Sequence, residues 1–95
     1  MIMKLIAYKD LKLNIFTSPM TIGNVESSEI IENVRRMCAD PKMPQVYFEY
    51  DLYLLGTYDD KTGLFDCKSP EFLVSLGDFR HLASKKEEVT PDVVS

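Results

Sequence analysis

Apolar positions recur along this chain at two different periods. Near the N-terminus, Ile2, Ile6 and Tyr8 share one face of an extended segment with Lys4, while Met3, Leu5 and Ala7 share the other. Both faces are apolar, which predicts an inner strand over 2–9, covered on both sides. Asp10 to Lys12 reads as a turn. Asn14 to Thr17 reads as a short second strand, stopped by Pro19.

The period then lengthens to that of a helix. Ile30, Ile31, Val34, Met37 and Cys38 form one apolar stripe, with Glu29, Glu32, Asn33, Arg35 and Arg36 on the other side. Ser27 or Ser28 is expected to cap this helix by accepting an orphan backbone N–H. Glu32 and Arg36 stand in the favourable i,i+4 order. Asp40-Pro41 ends the helix, and Pro44 keeps the next segment irregular.

A second strong strand follows over 50–58. Asp59-Asp60-Lys61-Thr62-Gly63 has hairpin chemistry, with Asp opening the turn and Gly supplying a positive φ. Leu64 to Lys68 return as the partner strand. Ser69-Pro70-Glu71 has the form of a helix start: a cap, a first-position proline and an early acid. A short helical turn through Phe72, Leu73 and Leu76 is therefore expected, ending at Gly77. From Ser84 onward the chain is polar and aperiodic, which predicts a flexible tail.

These elements give an α+β fold in the order β(β)αββ plus a short C-terminal helical turn. One long helix would cover one face of a three- to four-stranded, mainly antiparallel sheet. Residues 1–83 form a single domain and 84–95 the tail. One helix cannot cover both faces of a sheet whose strands are apolar on both sides. A second copy is the expected cover, so a homodimer is predicted.

Composition narrows the picture. Hydrophobic residues are 45% of the 95 and charged residues 27%, which suits a globular domain. The net charge of −4 counts against a dedicated nucleic-acid binder, whose phosphate contacts need a basic surplus, although local patches can still be basic. The N-terminus has no apolar core of the signal-peptide kind, and no run approaches a membrane span. Residence in the cytoplasm, with no membrane contact, is the expectation. Cys38 and Cys67 read as two small buried hydrophobes rather than as a secreted disulfide framework.

Catalytic chemistry finds little support. His81 stands beside Arg80 near the polar tail, a poor setting for a general base. Two distant cysteines and one histidine do not make a zinc site. Asp59–Gly63 lacks the alternating acids and distal Glu of a calcium loop. The glycines are isolated, so no phosphate loop is present. No catalytic residue, metal or cofactor is expected.

Two features suit binding. One is scattered basic character: Lys4, Lys9, Lys12, Arg35 and Arg36, with Arg80, His81, Lys85 and Lys86 further on. The other is an aromatic stretch of Tyr47, Phe48, Tyr50 and Tyr53. Rings beside cations suit single-stranded nucleic acid. The same rings also suit a core or a protein interface. Lys4, Lys9, Lys12, Arg35, Arg36, Tyr47 and Tyr50 are the candidate DNA-contacting residues.

The full pattern resembles a known family. A Met3-Lys4-Leu5-Ile6-Ala7-Tyr8-Lys9-Asp10 strand and a helix ending in Asp40-Pro41 come first. The run Tyr50-Asp51-Leu52-Tyr53-Leu54-Leu55-Gly56-Thr57-Tyr58-Asp59-Asp60-Lys61-Thr62-Gly63 follows, and Pro70-Glu71-Phe72-Leu73-Val74 closes it. This is similar to the small non-structural protein of gokushoviruses, the single-stranded-DNA phages of the Microviridae, over residues 3 to about 79. The helix departs from the family's Ala-x-Arg-x-Phe pattern. The resemblance implies a non-catalytic, DNA-binding accessory role in viral genome replication, single-stranded synthesis and packaging, in the bacterial host's cytoplasm. It carries over Gly56, Asp59, Asp60, Thr62 and Gly63 as structural residues. The alternative is a protein–protein adaptor that binds the phage initiator or a host replication factor without touching DNA.

Overall fold

The computed structural model of the chain describes residues 1–82. Its sheet has five strands: β1 (Ile2–Asp10), β2 (Ile15–Phe16), β3 (Met20–Ile22), β4 (Tyr50–Asp59) and β5 (Leu64–Ser75). The order is β2-β1-β4-β5, with β3 also paired to β1, and every pairing is antiparallel. Among the described residues, the helix α1 (Ser27–Cys38) and the 3-10 turns Gln45–Glu49 and Leu76–Phe79 pack with this sheet.

β1 is an inner strand, as its two apolar faces predicted. Leu5, Ile6 and Ala7 are consecutive and all buried, so both faces are shielded there. The expected strand over 14–17 forms as the two-residue β2. The β1–β2 turn places Asn14 at φ 58, a left-handed conformation that Asn tolerates. β3 was not expected, because three residues are too few to show a period.

The helix has 12 residues, shorter than the long helix expected. Its N-cap is Glu26 rather than Ser27 or Ser28: Glu26 is extended, Ser27 is already helical, and no side chain caps the end. Ile30, Val34 and Cys38 are buried against Ile6, Leu52, Leu54, Val74 and Leu76. Ile31 is half-buried and Met37 is 39% exposed, so the stripe is narrower than the sequence suggested.

The largest correction lies after the hairpin. No helical turn forms at Phe72; β5 continues to Ser75 and the chain turns only at Leu76–Phe79. A bulge at Leu73 explains this outcome, because the register shifts between Leu52 and Tyr53 and so breaks the two-residue alternation. Phe72 pairs with Tyr53 on one face while Val74 pairs with Leu52 on the other and enters the core. Helical geometry would surrender both contacts. Pro70 is accommodated in a bulge: Leu54 pairs with Glu71 and Gly56 with Cys67, so Lys68, Ser69 and Pro70 all lie opposite Leu55. The Asp59–Gly63 turn is as predicted, with Gly63 at φ 75 and its N–H donating to the Asp59 carbonyl at 2.8 Å.

The expected tail, 84–95, and the domain's expected last residue, 83, lie outside the described residues. No helix among the described residues is long and apolar enough to cross a membrane.

Candidate nucleic-acid interface

Register sorts the sheet's side chains between two faces. Ile6, Leu52, Leu54 and Val74 point to α1 and build the core. Among the described residues the opposite face carries no helix. It presents Lys9 and Ala7 from β1, Asp51 and Tyr53 from β4, Phe72 from β5 and Phe16 from β2.

Three of these residues form a continuous row of rings. Phe16 meets Tyr53 edge-on, with centroids 5.3 Å apart at 76°. Tyr53 meets Phe72 the same way, at 5.8 Å and 77°. The row exists because Ala7, the residue paired with Tyr53 on its other side, is small and fully buried. A larger residue there would push the rings apart. Phe16 is 41% and Phe72 51% exposed, so the outer rings offer open π-surface. Lys9 holds its Nζ 5.6 Å from the Phe16 centroid, within cation–π range. Asp51 flanks the row, paired in register with Lys9 and Ser75. Its Oδ1 is buried without a hydrogen-bond partner among the described residues.

Beyond the Gly56 bulge, the same face holds a separate ring pair. Tyr58 and Phe65 lie 4.8 Å apart at 36°.

The structure does not gather the sequence-predicted residues on one surface. Lys9 lies on the ring-bearing face. Lys12 is exposed in the adjoining β1–β2 turn, its N–H donating to Asp10 Oδ1 at 2.9 Å. Lys4 turns to the helix-side face, beside a small pocket that also includes Thr57, Asp66 and Lys68. Tyr47 and Tyr50 stand together, with centroids 5.6 Å apart, and Tyr50 reaches Tyr8 at 6.2 Å; this trio borders the α1 side. Arg35 and Arg36 are on the solvent face of α1. Arg35 is engaged by Glu32, with Nε donating to Oε2 at 2.9 Å, and Arg36 approaches Glu32 at 3.7 Å. Arg35's hydrogen bond holds the Glu32 carboxyl below its ordinary range. Phe48, from the same aromatic stretch, is core.

Phe16 and Phe72 escaped the sequence reading. Phe16 sits in a strand too short to show alternation, and the Ser69-Pro70-Glu71 start predicts a helix through Phe72. The bulge at Leu73 removes the two-residue period that would have marked the strand. Both cysteines are free; Cys38 is buried as expected, but Cys67, expected to be buried, is exposed on the edge strand β5. His81 is exposed. Among the described residues no three His, Cys, Asp or Glu side chains gather as metal ligands.

Residues 3–79 match the family described as Phage ORF5 protein. That is most of the chain, and the chain belongs to this family of phage proteins. No curated protein and no solved structure matches it.

Proposed function

We propose that this member of the phage ORF5 family is a non-catalytic accessory protein that binds single-stranded DNA across the sheet face opposite α1. The observation that carries this reading is the Phe16–Tyr53–Phe72 row with Lys9 beside it. Exposed rings on a sheet stack with unpaired bases, whose faces a duplex hides. The acidic balance counts against a mechanism driven by phosphate contacts alone. Stacking tolerates a net charge of −4 better than a phosphate-driven mechanism would. The sequence resemblance to gokushovirus non-structural proteins supports the setting: replication, single-strand synthesis and packaging of a Microviridae genome in the bacterial cytoplasm.

The test is fluorescence anisotropy with a labelled oligothymidine across a salt series. With Lys9 and Lys12 as the phosphate partners, log affinity should fall with log salt at a slope of about −1.4, roughly 0.7 per contact. Excess unlabelled duplex should compete poorly. No binding at low salt refutes the proposal.

The second reading is the adaptor, which binds the phage initiator or a host replication factor. The observation that favours it is an apolar groove on the other side of the molecule.

A further inference from the structure

The groove runs between α1 and β3, with a volume of about 310 Å³. Ile6 and Leu52 form its floor, Met20 and Ile22 one wall, Val34 and Met37 the other. Its mouth is apolar and open: Met20 is 42% and Met37 39% exposed. Methionine walls adjust to varied apolar partners because the side chain is unbranched and polarisable. Tyr8 and Met37 extend the apolar surface towards Tyr47 and Tyr50.

Charge identifies the occupant. Glu26, the N-cap, and Glu29, in the first turn, stand on the groove edge of α1, in line with Asn33 and Met37. Both acids are exposed, and neither has a salt-bridge partner among the described residues. Arg36 is the cation on that edge, and it leans to Glu32. An acidic rim repels phosphate, so this groove does not suit DNA. It does not suit the chain's own hairpin either. The exposed Leu64 and Phe65 there are flanked by Asp59, Asp60 and Asp66.

We propose that the α1–β3 groove docks a basic amphipathic segment of a partner protein, with apolar anchors between Met20 and Met37 and Lys or Arg against Glu26 and Glu29. An amphipathic helix in an apolar groove is a recurring recognition mode, read as anchors at i, i+3, i+4 and i+7. The groove and the ring row lie on opposite faces of one sheet. The protein therefore has the layout to hold a single strand and a protein at once.

The test uses the full chain labelled with methyl-13C methionine. The probe is a synthetic amphipathic peptide of leucine and lysine, compared with its leucine–glutamate counterpart. The expected result is a saturable shift of the Met20 and Met37 methyls with the lysine peptide, while Met1 and Met3 stay still. Met37→Lys and Met20→Lys, both at exposed positions, should each weaken binding by about tenfold or more with the circular dichroism spectrum retained, a loss in the upper range for one anchor. Oligothymidine should leave the peptide bound. No saturable shift overturns the proposal, as does equal binding of the glutamate peptide. Shifts that depend on protein concentration alone would assign the groove to a second copy. Overhauser contacts from Met20 or Met37 to Val93 or Val94 in the free protein would assign it to the chain's own C-terminus. Displacement of the peptide by oligothymidine would merge the two sites and overturn their separation.

Discussion

Gly56 pairs with Cys67 between β4 and β5, and the gap there leaves no room for a side chain. A Cβ on Gly56 would strike the Asp66 carbonyl oxygen and lie 2.8 Å from the Cys67 Cα. Its φ of 155° is itself a glycine conformation. Gly56→Ala therefore meets both a steric and a conformational penalty. Gly63→Ala meets the second alone, since nothing approaches within 4 Å of a Cβ there. Gly63→Ala should cost about 1 kcal/mol. Gly56→Ala should cost about 3 kcal/mol, since backbone must move. Urea denaturation compares the two directly, and equal losses would refute the close-approach argument.

Tyr53 is the middle ring of the row, in contact with Phe16 and Phe72. Tyr53→Ala should weaken oligothymidine binding by about 1–3 kcal/mol, a factor of roughly 5 to 150. Tyr53→Phe keeps the ring and should bind within about twofold, because stacking needs no hydroxyl. Lys9→Ala should weaken binding and reduce the salt slope by about 0.7. Arg35→Gln with Arg36→Gln should change little, since that face of α1 lies across the molecule and Glu32 already engages both. A large loss in the arginine variant with Tyr53→Ala silent would move the DNA site to the helix.

The homodimer expected from the sequence is proposed to form at the hairpin. Leu64 is 68% and Phe65 60% exposed, and Phe65 stacks on Tyr58 at the end of the sheet that α1 does not reach. A second copy is the proposed cover for this end. Sedimentation equilibrium should give a dimer at micromolar concentration, and Phe65→Lys should convert it to monomer. A monomeric wild type would leave these side chains to another partner.

What the sequence revealed depended on element length. β1, α1, β4 and the Asp59–Gly63 turn were legible because each holds enough residues to show a period or a turn signature. β2 and β3 have two and three residues. Their pairing is decided by β1, which no local pattern reports. Ser69-Pro70-Glu71 misled because local helix-start chemistry lost to the pairing of Phe72 with Tyr53 and Val74 with Leu52. The candidate site was partly legible for the same reason. Lys9 could be named, but Phe16 and Phe72 join it only through strand register, a tertiary fact.

Alkaline pH should destabilise the fold through two groups at the α1 side of the core. Cys38 is fully buried, with its Sγ 4.0 Å from the Leu76 carbonyl oxygen. Burial pushes its thiol above the ordinary 9.0. Tyr8 is pushed above the ordinary 10.0, chiefly by burial and further by the nearby Cys38. Both groups are neutral at pH 7 in either state, so they contribute their full stability there. As pH rises past the ordinary values, the unfolded chain releases these protons first, and the folded chain holds them to higher pH. Stability therefore falls from about pH 9 upward. The urea midpoint should be level from about pH 7 to 8 and drop by pH 10. Cys38→Ala should start lower at pH 7, because it leaves a small cavity, yet lose less on going to pH 10. An unchanged alkaline loss in Cys38→Ala, with the same result in Tyr8→Phe, would place the titration elsewhere in the chain.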